Sequence, residues 1–289
     1  MSIPTVVMPA TFKLGRQPAK RDSRTLQFAD YVGANAPQPS WWSQSLAWAE
    51  HLVHPNAPAT VAARAKLPNV PPTAGWSGRV PSWPMMGNDV LGDCVIAGIG
   101  HQIQSWTADN GRPYVPPDAD IRTAYAAVSG WNPTTGANDN GCVMLDALNY
   151  WHNVGVSGHK LDAFCSIAQF AHKHIMQGIY LLGGVLAGVN LPKSAQAQFG
   201  PGKTWDVTTG PDSQPGTWGG HCILLLDFSP AGLTCVTWGK LQLLTWRWLD
   251  TYADELYGLL SLTDWLTGGR SPNGFNTKAI LADEKALAA

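Results

Sequence analysis

Charge is scarce in this chain. Lys, Arg, Asp and Glu make up 13% of its 289 residues, against roughly 25% in an average soluble domain, and the formal net charge is -1. Such a balance gives no electrostatic argument for nucleic acid or for an anionic membrane, and neither is expected as a partner. A secretory leader is missing too: Met1 to Phe12 lacks a basic stretch followed by an apolar run. The most apolar segment, Ile175 to Leu191, is interrupted by Gln177 and by glycines. It falls short of the roughly 20 residues that a membrane span needs. Cysteines are few and odd in number, five, which without a leader reads as reduced thiols and not as a disulfide framework. Metal-ligand spacing is absent as well. There is no Cys-x-x-Cys or His-x-x-x-His, and His172 and His174 fall on different helix faces, so no metal and no cofactor is expected.

What the chain does have is tryptophan, proline and a change of texture along its length. Its fourteen tryptophans suit core and rim packing, or an aromatic-rich groove or interface. Residues 1–83 carry eleven prolines and a short basic run from Lys13 to Arg24. They read as an extended arm lying on the main body or on a partner, with helical pieces at Arg24–Val32 and Ser43–Val53. A propeptide that blocks a cleft and a merely ornamental extension are both open. Residues 84–268 read as the body and 269–289 as a C-terminal tail.

Within the body, helices come first. Asp93 is placed to cap a helix from Cys94 to about Ala108, with Val95, Ile99, Ile103 and Trp106 as its apolar stripe. Further helices are expected over Ala119–Val128, after Cys142 with Leu145, Leu148 and Trp151 periodic, and over Ile167–Leu182. Then strands take over. Val185–Leu191 reads as a buried strand, and His221–Phe228 with Leu233–Trp238 as a hairpin around Ser229-Pro230-Ala231-Gly232. Leu241–Trp246 and Glu255–Leu260 are further strands, with a helical turn at Trp248–Asp254. Helices followed by strands predict an α+β layout, a helical side packed on an antiparallel sheet or half-barrel.

Two residues point to a chemistry. The turn Asn88-Asp89-Val90-Leu91-Gly92-Asp93 delivers Cys94 to the first position of a helix, and Gly219-Gly220 opens a strand at His221. A thiol acts as its thiolate, so a free pKa of about 8.5 must be lowered. A helix N-terminus with roughly half a positive charge helps, and a neighbouring imidazolium helps more. The Cys94 amide and the Asn88 side chain are candidate donors to an oxyanion. His221 would serve as base and then acid, held by an acceptor on an adjacent strand, while Asp93 opposes a thiolate.

These residues resemble the papain-like cysteine peptidases, in which Gln, Cys, His and Asn follow in that order. Asn88 stands six before Cys94, where the family has Gln. His221 follows 127 residues after Cys94, and Val236-Thr237-Trp238-Gly239 falls where the family has Asn-Ser-Trp-Gly. Ile175–Leu191 is similar to its helix, glycine turn and strand, and Asp139-Asn140-Gly141-Cys142 to the loop lining its groove. The resemblance covers about Met85 to Leu260 and looks most like compact bacterial or phage-encoded relatives. It implies a papain-like fold, a Cys94–His221 dyad aided by Asn88, and a peptide or protein substrate. The sequence departs from the pattern where Val95 replaces Trp and where Val236 replaces the His-orienting Asn. Thr237 could accept instead, but neighbours in a regular strand face opposite sides, so a one-residue shift or bulge is required. The alternative is a catalytically silent papain-like module, a binding or structural component of an assembly such as a phage virion. Its N-terminal arm would then serve self-assembly or a protein partner. With no leader and no membrane span read from the sequence, a cytoplasmic or virion-associated location is expected.

Overall fold

The computed structural model describes residues 12–32, 69–267 and 270–287; the helix expected at Ser43–Val53 lies outside them. In chain order its elements are β1 (Leu26–Gln27), α1 (Phe28–Val32), β2 (Ala74–Gly75), α2 (Cys94–Asp109), α3 (Asp118–Ser129), α4 (Met144–Asn153), β3 (Ala163–Ser166), α5 (His172–Leu182) and β4 (Val185–Leu191). After these come α6 (Ser194–Ala197), β5 (Thr204–Trp205), β6 (Gly219–Ser229), β7 (Gly232–Thr237), β8 (Lys240–Leu244), α7 (Trp246–Tyr252), β9 (Ala253–Leu260) and α8 (Lys278–Leu287). Among the described residues the nine strands form one mixed sheet in the order β1-β3-β9-β4-β6-β7-β8-β5, with β2 added beside β6. The fold is therefore α+β, with the helices of the first half packed against a mainly antiparallel sheet.

The central helix, α2, is buried on almost every side. That exceeds the single apolar stripe that its sequence shows, and the burial is tolerated in part because several of its polar side chains donate to backbone carbonyls. Gln102 donates to the Gly183 carbonyl at 3.2 Å, Gln104 to Ser82 at 2.9 Å, and the Trp106 indole to Leu182 at 2.7 Å. His101 Nε2 bonds the Pro84 carbonyl at 2.8 Å. Burial pushes His101 down to about 4, so it is a neutral core histidine. Gly98 lets the helix reach the sheet: a Cβ there would stand 2.9 Å from Leu186 Cδ1 and 3.3 Å from Cys222 Sγ. The N-terminal end of α2 is thereby pressed onto β6.

Besides the strand expected to Trp246, which stops at Leu244 so that α7 starts two residues earlier than expected, two boundaries differ from the sequence expectation. The helix expected over Ile167–Leu182 begins only at His172, because the chain leaves β3 (beside β9) still paired, with Ile167 N on the Leu256 carbonyl at 2.8 Å. The segment Arg24–Val32 holds one short helix, preceded by a strand pairing with β3. In both places partners far away in sequence override local helical preference. No helix among the described residues is long and apolar enough to cross a membrane.

Candidate active site

The turn before α2 is built on positive-φ backbone. Met86 and Gly87 have φ of 55° and 88°, and the Val90 and Leu91 amides both bond the Gly87 carbonyl at 3.0 Å. Asn88 closes the turn by donating Nδ2 to the Leu91 carbonyl at 3.1 Å. The chain then enters α2 at Cys94, which is 1% exposed. Burial pushes its thiol up to about 12, and backbone hydrogen bonds at Cys222 and Gly15 offset only part of this.

Asp93 was expected to cap α2, and it stands at the N-cap position without making that bond. Its carboxyl is fully buried and neither oxygen has a hydrogen-bond partner. Burial pushes its pKa up to about 8; the Asn88 amide works against this without reaching bonding geometry, and Asp139 adds to it. The carboxyl is accordingly protonated at neutral pH, which removes much of its opposition to a thiolate next door.

His221 is fully buried at the start of β6, and its Nε2 lies 2.7 Å from Thr237 Oγ1. A slip in pairing makes this contact. From the Ser229↔Gly232 end, regular alternation would put Val236 on the His221 face. A bulge in β6 between Leu225 and Asp227 shifts the register, Val236 pairs with Leu224, and Thr237 takes that face. The next residue, Trp238, has φ of 45° and forms a two-residue β7–β8 turn with Gly239 at φ 66°. A tryptophan there is strained. Its ring is held by a stack on His221 with centroids 4.1 Å apart. The other imidazole nitrogen, Nδ1, is buried with no partner. Burial, and then the charge on Arg16, push His221 down to about 3.

The cause of this burial is the protein's own chain. Residues 12–17 lie across the cleft in extended form. Cys142 N donates to the Gly15 carbonyl at 2.8 Å and Gln17 N to the Cys142 carbonyl at 3.0 Å, a parallel bridge centred on Arg16. On the opposite wall Arg16 N donates to the Gly220 carbonyl at 3.2 Å. The Lys13 carbonyl accepts from the Trp238 indole at 3.2 Å and lies 3.5 Å from Asn88 Nδ2. Phe12 stacks on Trp238. Contact is so close that a Cβ on Gly15 would stand 1.8 Å from the Gly92 oxygen, and one on Gly141 1.7 Å from the Gly15 oxygen.

Arg16 carries the segment's deepest contact, and its side chain is 1% exposed. Nη1 donates to Glu255 Oε1 at 2.7 Å, and Nη2 to Asn190 Oδ1 and Asp254 Oδ2 at 2.9 Å each. Burial works against its charge, and the fields and hydrogen bonds of Asp254 and Glu255 more than offset it, so its pKa is raised. Burial likewise raises Glu255 despite Arg16. A guanidinium does not deprotonate in proteins, so Arg16 carries its positive charge into the pocket.

Sequence reasoning singled out Cys94, His221, Asn88 and Thr237, and all four lie around this cleft. It missed Arg16, Asn190, Asp254 and Glu255. The basic run from Lys13 to Arg24 was visible, but nothing local says that its arginine is buried. The acidic pair begins β9 as an ordinary Asp-Glu dipeptide.

No family model and no curated protein matches this sequence. Solved structures do. Xylellain, a cysteine protease from Xylella fastidiosa, superposes with a TM-score of 0.58 at 12% identity, over 88% of this chain and 99% of its own. The cysteine protease CMS1MS2 of Carica candamarcensis gives 0.50 at 12% identity, over 66% of this chain and 99% of its own. Digestive procathepsin L 3 of Tenebrio molitor larval midgut gives 0.50 at 12%, over 67% and 71%. At such identity the likeness speaks for architecture alone, and that architecture is the papain-like fold.

Proposed function

We propose that this chain is a papain-like thiol hydrolase of peptide or related amide bonds, held latent by its own residues 12–17. Cys94 is the nucleophile, His221 the base and then the acid, Thr237 the group that orients the ring, and Asn88 with the Cys94 amide the oxyanion donors. The observation that carries this reading is the peptide itself: an extended segment lies hydrogen-bonded to both walls of a cleft with a thiol at its floor.

With the segment displaced, water returns, the thiol pKa falls and the imidazole pKa rises. A proton then moves from Sγ to Nδ1, the nitrogen that no other group engages. The thiolate adds to the carbonyl carbon, and negative charge forms on its oxygen, where the Cys94 amide and Asn88 can donate. His221 returns the proton to the leaving nitrogen, the C–N bond breaks, and a thioester remains. Water, deprotonated by His221, hydrolyses it. Thr237 supports the cycle by keeping Nε2 engaged, which fixes the tautomer and the ring plane. Replacing it, Thr237→Val, should lower kcat/KM at least tenfold, with a melting temperature within a few degrees of the parent.

The test is thiol alkylation by iodoacetamide, read by mass spectrometry, in a chain whose segment has been displaced. Selective, pH-dependent reaction at Cys94 that disappears in His221→Ala is expected. Reaction at Cys94 no faster than at the other four thiols sinks the hydrolase. One observation favours a second reading, a silent module: the thiol and the imidazole are both held neutral here. The same measurement decides between the two.

A further inference from the structure

The pocket that holds Arg16 is a built site. Asp254 Oδ2 accepts from Asn190 Nδ2 at 2.8 Å and Glu255 Oε2 from the Tyr257 hydroxyl at 3.2 Å. The carboxylates are thus held in place by the protein's own groups, independently of the arm. A break in the β4–β9 register between Gly188 and Val189 opens the floor. A Cβ on Gly188 would stand 2.8 Å from Arg16 Cδ and 2.6 Å from Glu255 Cγ, so glycine leaves the channel through which the side chain passes. Asp254 Oδ1 is buried with no partner, leaving acceptor capacity that Arg16 does not use.

Arg16 reaches this pocket from a defined backbone position. It is the residue centred on the Cys142 bridge, and its own amide bonds the Gly220 carbonyl beside His221. A peptide of either chain direction paired at Cys142 can direct the side chain of its bridging residue the same way. We propose that Glu255, Asp254 and Asn190 form the selectivity pocket of the cleft and that it takes the arginine side chain of a peptide ligand, with Arg16 as its resident stand-in. Calling that ligand a substrate rests on the hydrolase reading; its binding does not. Three acceptors around two terminal nitrogens suit a planar fork better than the single nitrogen of lysine. A neutral isostere would leave a carboxylate in the pocket unpaired.

The test uses the full chain carrying Gly15→Val, Arg16→Ala and Cys94→Ala, so that the cleft is open and no turnover occurs. Two capped peptides of residues 12–18 are titrated by calorimetry, one with arginine at the fifth position and one with citrulline. The arginine peptide is expected to bind at least tenfold more tightly, with the ratio falling to near one in Glu255→Gln. Equal binding of the two, or saturable binding of neither, overturns the proposal. Should the triple variant fail to fold, Arg16→Ala alone serves. Its melting temperature should rise with n-propylguanidinium and not with n-propylurea, and equal response to both overturns the proposal. Failure of the hydrolase reading is seen separately, as absence of Cys94-selective alkylation with the peptide preference intact.

Discussion

Gly15→Val is expected to raise the rate of Cys94 alkylation at pH 7.5 by about a hundredfold or more. At Gly15 a Cβ would stand 1.8, 2.3 and 2.5 Å from the oxygen, carbonyl carbon and Cα of Gly92. These are backbone atoms of the turn that leads into α2, so they have no rotamer to change. The arm must lift instead, losing its two bonds to Cys142 and its bond to Gly220. Arg16 in its pocket and the contacts of Phe12 and Lys13 with Trp238 and Asp139 remain to tether it. The cleft's burial is what holds the thiol at about 12. Return to an ordinary thiol pKa near 8.5 multiplies the thiolate fraction by about tenfold per unit, tempered by the lower nucleophilicity of a less basic sulfur. Gly78→Ala is the control, because a Cβ there meets nothing within 4 Å. A time course resolved by peptide mapping reads the effect. If Gly15→Val and Gly78→Ala modify Cys94 at the same rate, residues 12–17 do not control access to the thiol.

The sequence carried the architecture better than the closure of the site. Cys94 at a helix start, His221 at a strand start and the helix-to-strand order are local patterns. Periodicity and turn residues encode them within about ten positions. The exchange of Val236 for Thr237 is different in kind. The need for a shift could be read from strand alternation, but the bulge that makes it lies at Leu225–Asp227 on the partner strand, some ten residues earlier in the sequence. The arginine pocket was hidden more deeply still. Arg16 and Glu255 are 239 residues apart, and a charged residue in a proline-rich stretch is ordinarily a solvated one. Gly15 and Gly141 gave a partial signal. Each is tolerated only because two backbones touch there, but a glycine read alone does not say which segment approaches it. Asp93 misled for a physical reason: Asp is a favoured helix cap, yet here the carboxyl is buried and makes no bond to the helix amides.

That carboxyl leads to the second large effect. Asp93→Asn should make the chain more stable at pH 8, by on the order of several kcal/mol, and should flatten its pH dependence. The sign follows from linkage. An acid whose folded pKa is raised, here to about 8 from a model value of 3.8, keeps its proton when folded and loses it when unfolded. Folding is therefore progressively disfavoured as pH rises between those values, at about 1.36 kcal/mol per unit. His221 works in the opposite direction and at lower pH. Its folded pKa is depressed to about 3, so stability is lost as pH falls below the ordinary value of about 6.5. Between pH 6.5 and 8 the Asp93 effect stands apart from it and amounts to about 2 kcal/mol. The difference between parent and variant removes the contributions of other carboxyls. Urea unfolding at half-unit intervals from pH 6 to 9 measures it, and parallel curves for the two proteins would refute the buried, protonated Asp93. The same substitution bears on the thiol. Asp93 is among the groups that raise the Cys94 pKa, so with Gly15→Val opening the cleft, Asp93→Asn should move the pH midpoint of alkylation downward. An ionising residue beside the nucleophile thus ties the two properties together: as pH rises toward 8, the negative charge that weakens the fold is the one that opposes the thiolate.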